Sequence, residues 1–134
     1  MGRVLPLDGC VGDDPLSQRV ALVRASVPDD AEAGTLAELF RLLGDVRRTK
    51  ILYALLEAGE LCVCDISAAV QVPEASVSQT MRLLRASGVV GNRREGRRVY
   101  YRLADTHVRM LLDLTREHIA HDQAAGIASA QAIR

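Results

Sequence analysis

The chain has 134 residues with one Phe and no Trp, so its core is aliphatic, which argues against a sandwich of aromatic strands. Its 17 basic and 17 acidic residues cancel, its three cysteines are too few for a disulfide scaffold, and no apolar run approaches the ~20 residues of a membrane span. Without an apolar signal-type N-terminus, the chain is expected to be a single cytoplasmic domain with reduced thiols and no membrane partner.

Residues 1–14 are rich in Gly and Asp, lack a period and are expected to form a flexible arm carrying Cys10. Residues 15–27 can form a first helix, with Leu16, Val20, Leu22 and Val23 on one side. The segment after it is a loop or a helix start. From Thr35, Leu36, Leu39, Phe40 and Leu43 repeat at helical spacing up to Gly44. Asp45 can cap the next helix, where Ile51, Leu52, Leu55 and Leu56 continue to Gly59. Ile66, Ala69 and Val70 mark a short helix broken before Pro73. A second short helix over 76–86 turns Val77, Met81 and Leu84 inward and stops at Gly88. Two short helices joined by a tight turn make a helix-turn-helix.

After Gly88 the period changes from 3.6 to 2. VVGNRR and RRVYYRL read as a hairpin turning at Glu95-Gly96. The fold expected is mainly α with a two-stranded β wing, a winged helix-turn-helix over residues 15–123. A last helix runs from about 105 to 121, with Val108, Leu111, Leu112 and Leu114 as its apolar side, and 124–134 is expected to fray.

The neutral total hides an uneven charge. Residues 82–102 hold seven Arg and one acid, whereas the chain before Gly34 holds six acids and three Arg. Such a basic patch suits phosphate. The helix SVSQTMRLLRASG offers Ser76, Ser78, Gln79, Arg82 and Arg85 outward, side chains able to bond base edges or phosphate. The wing adds Arg93, Arg94, Arg97 and Arg98, suited to backbone phosphate or the minor groove. The alternative is a merely solvated charged face. Double-stranded operator DNA is the expected partner, bound by a homodimer on a two-fold site.

All three histidines lie in DTHVRMLLDLTREHIAH. His118 and His121 are an i, i+3 pair on one face. His107 shares that face but sits about 16 Å from His118 along the axis, too far for one ion. Pairing the helix antiparallel with its copy brings Asp105 and His107 of one chain to His118 and His121 of the other. One carboxylate and three imidazoles suit tetrahedral Zn(II), with two sites per dimer. Three solvated surface histidines are the bland alternative. Catalytic zinc is disfavoured because four protein ligands leave no open position.

In ELCVCDIS, Cys62 and Cys64 flank Val63, and could be core, a redox pair or half of a metal site. Together, ELCVCDIS, SVSQTMRLLRASG, GRRVYYRL and DTHVRMLLDLTREHIAH resemble the ArsR/SmtB-type winged-helix metal-sensing repressors over about residues 35–121. The resemblance implies a thiolate site of Cys62 and Cys64 with Cys10 from the partner's arm, and a second site at Asp105, His107, His118 and His121. It further implies an apo dimer that blocks transcription of an efflux or sequestration gene and is released by metal. The chain departs from the family at Thr80, where many members carry His, and in having one arm cysteine instead of two; Asp8 or water could complete that site. Thiolates favour Cd(II), Pb(II) or Cu(I), and the Asp/His set favours Zn(II).

A rival reading is a thiol redox-sensing repressor using Cys10, Cys62 and Cys64, since a thiolate is favoured near a helix start. No nucleophile–base pair, phosphate-binding Gly loop or open metal site is visible, so an enzyme is not expected.

Overall fold

The computed structural model describes residues 15–133, and side chains only as far as 126. The arm 1–14, with Asp8 and Cys10, and Arg134 lie outside the described residues. Two compact units divide the chain, 1–40 and 41–134.

In the first unit, helix α1 (Pro15–Ser26) buries none of its residues, and Leu16, Val20, Leu22 and Val23 are all exposed. Helix α2 (Asp30–Leu43) starts ahead of the apolar period read from Thr35. The reason is a cap: Asp29 Oδ1 accepts the Glu32 N–H at 2.9 Å, and acids at Asp30 and Glu32 face the positive end of the helix dipole.

The second unit opens with the end of α2, whose terminal carbonyls are satisfied from the next helix. Arg48 Nε donates to Leu42 O at 2.8 Å and Thr49 Oγ1 to Leu43 O at 3.0 Å. Helix α3 (Val46–Ala58) is capped as expected, Asp45 Oδ2 accepting the Arg48 N–H at 3.0 Å. Gly59 ends it in a left-handed conformation, φ 83°.

A short strand β1 (Leu61–Cys62) leads into α4 (Val63–Val70), a turn at left-handed Gln71, and α5 (Glu74–Ala86), which follows Pro73. The wing is β2 (Val90–Glu95) and β3 (Arg98–Leu103). Glu95 pairs with Arg98, so the turn residues are Gly96 and Arg97, one position later than the sequence suggested. Gly96, with φ 61°, takes the first turn position that demands a positive φ. The sheet has three strands in the order β1-β3-β2. The third strand was not anticipated, because two residues are too few to show a period.

Helix α6 (Thr106–Ile133) extends beyond the 105–121 read from its apolar period, through an Ala-rich stretch of high helix propensity. The core of this unit is Ile51, Leu52, Leu55, Ile66, Val77, Met81, Leu84 and Val89, each at 1% exposure or less. Val108 and Leu112 bury α6 against it, Leu111 is half-buried, and Leu114 is 65% exposed. Tyr53 ties α3 to α6, its hydroxyl donating to Leu112 O at 2.7 Å. Among the described residues no helix is long and apolar enough to cross a membrane.

Candidate DNA interface and metal centres

Burial of Val77, Met81 and Leu84 fixes the rotation of α5. Helical periodicity then turns Gln79 and Arg82 most directly outward, with Ser78 and Arg85 on one flank and Ser76 on the other. Gln79, Arg82 and Arg85 are exposed, whereas Ser76 and Ser78 are half-buried. The first turn of α5 carries Glu74, an acid that base reading alone does not call for.

The wing arginines do not behave as one group. Val90, Tyr101 and Leu103 lie on the core face of the sheet. Alternation along the strands puts Arg93, Glu95, Arg98, Tyr100 and Arg102 on the opposite face. There each of the three side-chain nitrogens of Arg93 meets a carboxylate. Its Nε lies 2.9 Å from both Glu60 carboxylate oxygens, its Nη2 2.6 Å from Glu60 Oε1 and its Nη1 2.9 Å from Glu95 Oε2. Its guanidinium also stacks 4.7 Å from the Tyr100 ring centre. The hydrogen bond to Arg93 holds the Glu60 carboxyl below its ordinary range. Arg98 bonds the Tyr100 phenol and also feels Cys62 and Asp65. Arg94 and Arg97 are exposed.

The two described cysteines are free and differ in environment. Cys62 is 4% exposed, closes β1 opposite Tyr100 and precedes the first turn of α4. Cys64 is exposed. Glu74 accepts the Cys64 thiol hydrogen bond, and its charge pushes that thiol's pKa up. This carboxylate reverses, at Cys64, the thiolate expected at a helix start. The donor set nonetheless suits a soft cation, because such an ion displaces the thiol proton. Cys10 lies outside the described residues.

Of the Asp/His set, one chain brings together only Asp105 and His107. Asp105 Oδ1 accepts the His107 N–H at 2.6 Å and lies 3.1 Å from His107 Nδ1. The hydrogen bond from that N–H keeps the Asp105 carboxyl below its ordinary range. The aspartate thus caps α6 while presenting a carboxylate beside a His107 side chain that is 94% exposed. His118 and His121 are exposed three turns further along the same continuous helix. Oxygen and imidazole donors on an open face fit Zn(II) in kind. Among the described residues, no three His, Cys, Asp or Glu side chains of one chain converge on a metal position.

A helix-turn-helix followed by an arginine-bearing hairpin defines a winged-helix DNA-binding protein. The chain belongs to the ArsR/SmtB-type family of metal-sensing winged-helix repressors, a family of DNA-binding regulators and not of enzymes. Residues 45–91 match the family model described as bacterial regulatory protein, arsR family. A transcriptional repressor SmtB homolog from Synechocystis is 41% identical over 80% of this chain and 82% of that protein. A cadmium resistance regulatory protein CadC homolog from Staphylococcus aureus is 43% identical over 58% of this chain and 64% of that protein. Among solved structures, the antimony-specific transcriptional repressor AntR superposes with a TM-score of 0.65 and 32% identity, over 74% of this chain and 94% of AntR. A homodimeric winged helix-turn-helix domain from Mycobacterium bovis, a possible ArsR-family regulator, gives 0.60 and 32%, over 72% and 89%.

Proposed function

We propose that the chain acts in the cytoplasm as a homodimeric repressor that binds double-stranded operator DNA without metal and is released by it. The genes freed would be those of metal efflux or sequestration. Recognition is assigned to Ser76, Ser78, Gln79, Arg82 and Arg85 in the major groove, and backbone contact to Arg94, Arg97 and Arg98.

The observation that carries the metal reading is the Asp105–His107 pair, held 3.1 Å apart at one end of a solvent-facing helix. His118 and His121 stand too far along that helix to join them within one chain. An antiparallel copy of α6 would supply the missing histidines, closing two Zn(II) sites per dimer. Cys62 and Cys64, with Cys10 of the partner arm, form the second site, for Cd(II), Pb(II) or Cu(I). The relatives named for cadmium and antimony support sensing of thiophilic elements by this family.

Metal acts by favouring a dimer geometry in which the two α5 helices no longer match successive major grooves. Such a coupling is typically about 1–3 kcal/mol and is reciprocal, so operator DNA weakens metal binding by the same factor.

The test is operator affinity of the reduced protein by fluorescence anisotropy, with zinc, cadmium, lead or copper(I), and with peroxide alone. Metals are expected to release DNA and peroxide to leave it bound. The reverse outcome would establish the redox reading instead. His118→Ala is expected to abolish the zinc response, and Cys62→Ser the cadmium and lead responses.

A further inference from the structure

The segment carrying the cysteines is stitched to the wing. Cys62 pairs with Tyr100 across β1 and β3, and Tyr100 pairs with Arg93 across β3 and β2. The three residues therefore form one lateral row through the sheet. Directly opposed residues in antiparallel strands project to the same face. Two positions before Cys62, Glu60 closes the row with a forked ion pair to Arg93. A second carboxylate, Glu95, and the Tyr100 ring take up the rest of the guanidinium.

A guanidinium has five N–H donors in a fixed plane. With Nε and both terminal nitrogens already turned to carboxylates, Arg93 keeps only the second N–H of each terminal nitrogen for a phosphate. Two neighbouring negative charges would also repel one. Arg93 thus differs in role from Arg94, which sits one residue away on the other face of the strand and is exposed.

We propose that Arg93 is a strut and not a DNA contact, and that Glu60, Arg93 and Tyr100 transmit the position of the cysteine segment to the wing. This rests on the thiolate site and the winged-helix reading proposed above. Drawing Cys62 and Cys64 onto a soft cation moves β1, which is hydrogen-bonded to β3. The Glu60 fork carries the same displacement to β2. The wing then shifts as a unit, taking the phosphate-facing Arg94 and Arg97 with it. Glu60 and Arg93 are positioning residues in this scheme, touching neither metal nor DNA.

The salt dependence of affinity separates strut from contact. A duplex selected by the wild-type protein from a random-sequence pool serves as the probe, titrated without metal at several KCl concentrations. Each lost phosphate contact lowers the slope of log K against log[salt] by about 0.9. Arg94→Ala is expected to lower it by that amount. Arg93→Gln and Glu60→Gln are expected to leave it unchanged, and their double variant to behave like either single one. A slope lowered by about 0.9 in Arg93→Gln but not in Glu60→Gln makes Arg93 a phosphate contact and overturns the proposal.

Coupling is read separately, as the ratio of duplex affinities without and with Cd(II). In Glu60→Gln that ratio is expected to fall at least about fivefold towards unity, the low end of usual coupling factors. Cadmium affinity of the DNA-free protein, followed by thiolate–metal absorbance, stays within about threefold. An unchanged ratio overturns the transmission role. A wild-type protein indifferent to cadmium removes the metal reading and the transmission with it, while the salt slopes still decide the strut. Arg93→Met, which removes the charge but keeps an unbranched side chain, serves if Arg93→Gln does not fold, and the same two outcomes apply.

Discussion

At the scale of single residues, function follows from what each polar group already holds. Gln79 and Arg82 are exposed on α5. A side chain reading a base edge contributes roughly ten- to a hundredfold in discrimination. Gln79→Ala and Arg82→Ala are therefore expected to lose about that much on the selected duplex and little on random DNA, measured by competition anisotropy. Arg97→Ala, which removes a proposed backbone contact, is expected to weaken both equally. Cys64 supplies a contrasting case. The hydrogen bond to Glu74 and the charge of its carboxylate push the thiol's pKa above its ordinary range. Glu74→Gln removes that charge and lowers the pKa, which enlarges the thiolate fraction. Iodoacetamide should then alkylate Cys64 faster at pH 7.5 than in the wild type, as read by peptide mass spectrometry. An unchanged rate would remove Glu74 from the site.

At the scale of elements, the wing and α6 are secured differently. The wing is a short hairpin held by ladder hydrogen bonds and by β1, with the Glu60–Arg93 pair bracing its outer face. Helix α6 leans on the core through Val108 and Leu112 and through Tyr53, whose hydroxyl reaches Leu112 O and whose ring lies 5.3 Å from the Arg116 guanidinium. Tyr53→Phe deletes one such hydrogen bond and keeps the ring. It is expected to cost about 1 kcal/mol in urea unfolding. Metal affinity at the proposed α6 site should change less than stability does, because Tyr53 is not among its proposed ligands.

At the scale of the whole molecule, the second unit by itself carries an exposed apolar series on α6. Met110 and Leu114, on the face of His107, His118 and His121, are 62% and 65% exposed. A single chain gains nothing by showing these to water, and the proposed antiparallel pairing of α6 would cover them beside the histidines. Leu114→Asp places a charge in that seam. Sedimentation velocity is expected to show monomer at concentrations where the wild type is dimeric. Zinc binding at two equivalents per dimer should be lost with it, since each site needs both chains. A Leu114→Asp dimer that still binds zinc would place the dimer seam elsewhere.

Local rules made much of this protein legible in its sequence. Apolar spacing and caps such as Asp45 determine α3, α4 and α5, because a helix is specified by neighbours within a few residues. The switch to alternation after Gly88 determines the hairpin for the same reason. The donor chemistry of Asp105, His107, His118 and His121, and the impossibility of joining them within one helix, also follow from spacing alone. Tertiary structure decided what depends on residues far apart in the chain. Leu61 and Cys62 became a strand because β3 presented an open edge, which no two-residue pattern can announce. Glu74 reached Cys64 because the helix-turn-helix folds α5 back over the start of α4. Arg93, one of seven arginines in a basic stretch, was separated from the rest by Glu60, 33 positions earlier. Charge composition can count such groups, but only the fold determines which charges meet and which are left to face DNA.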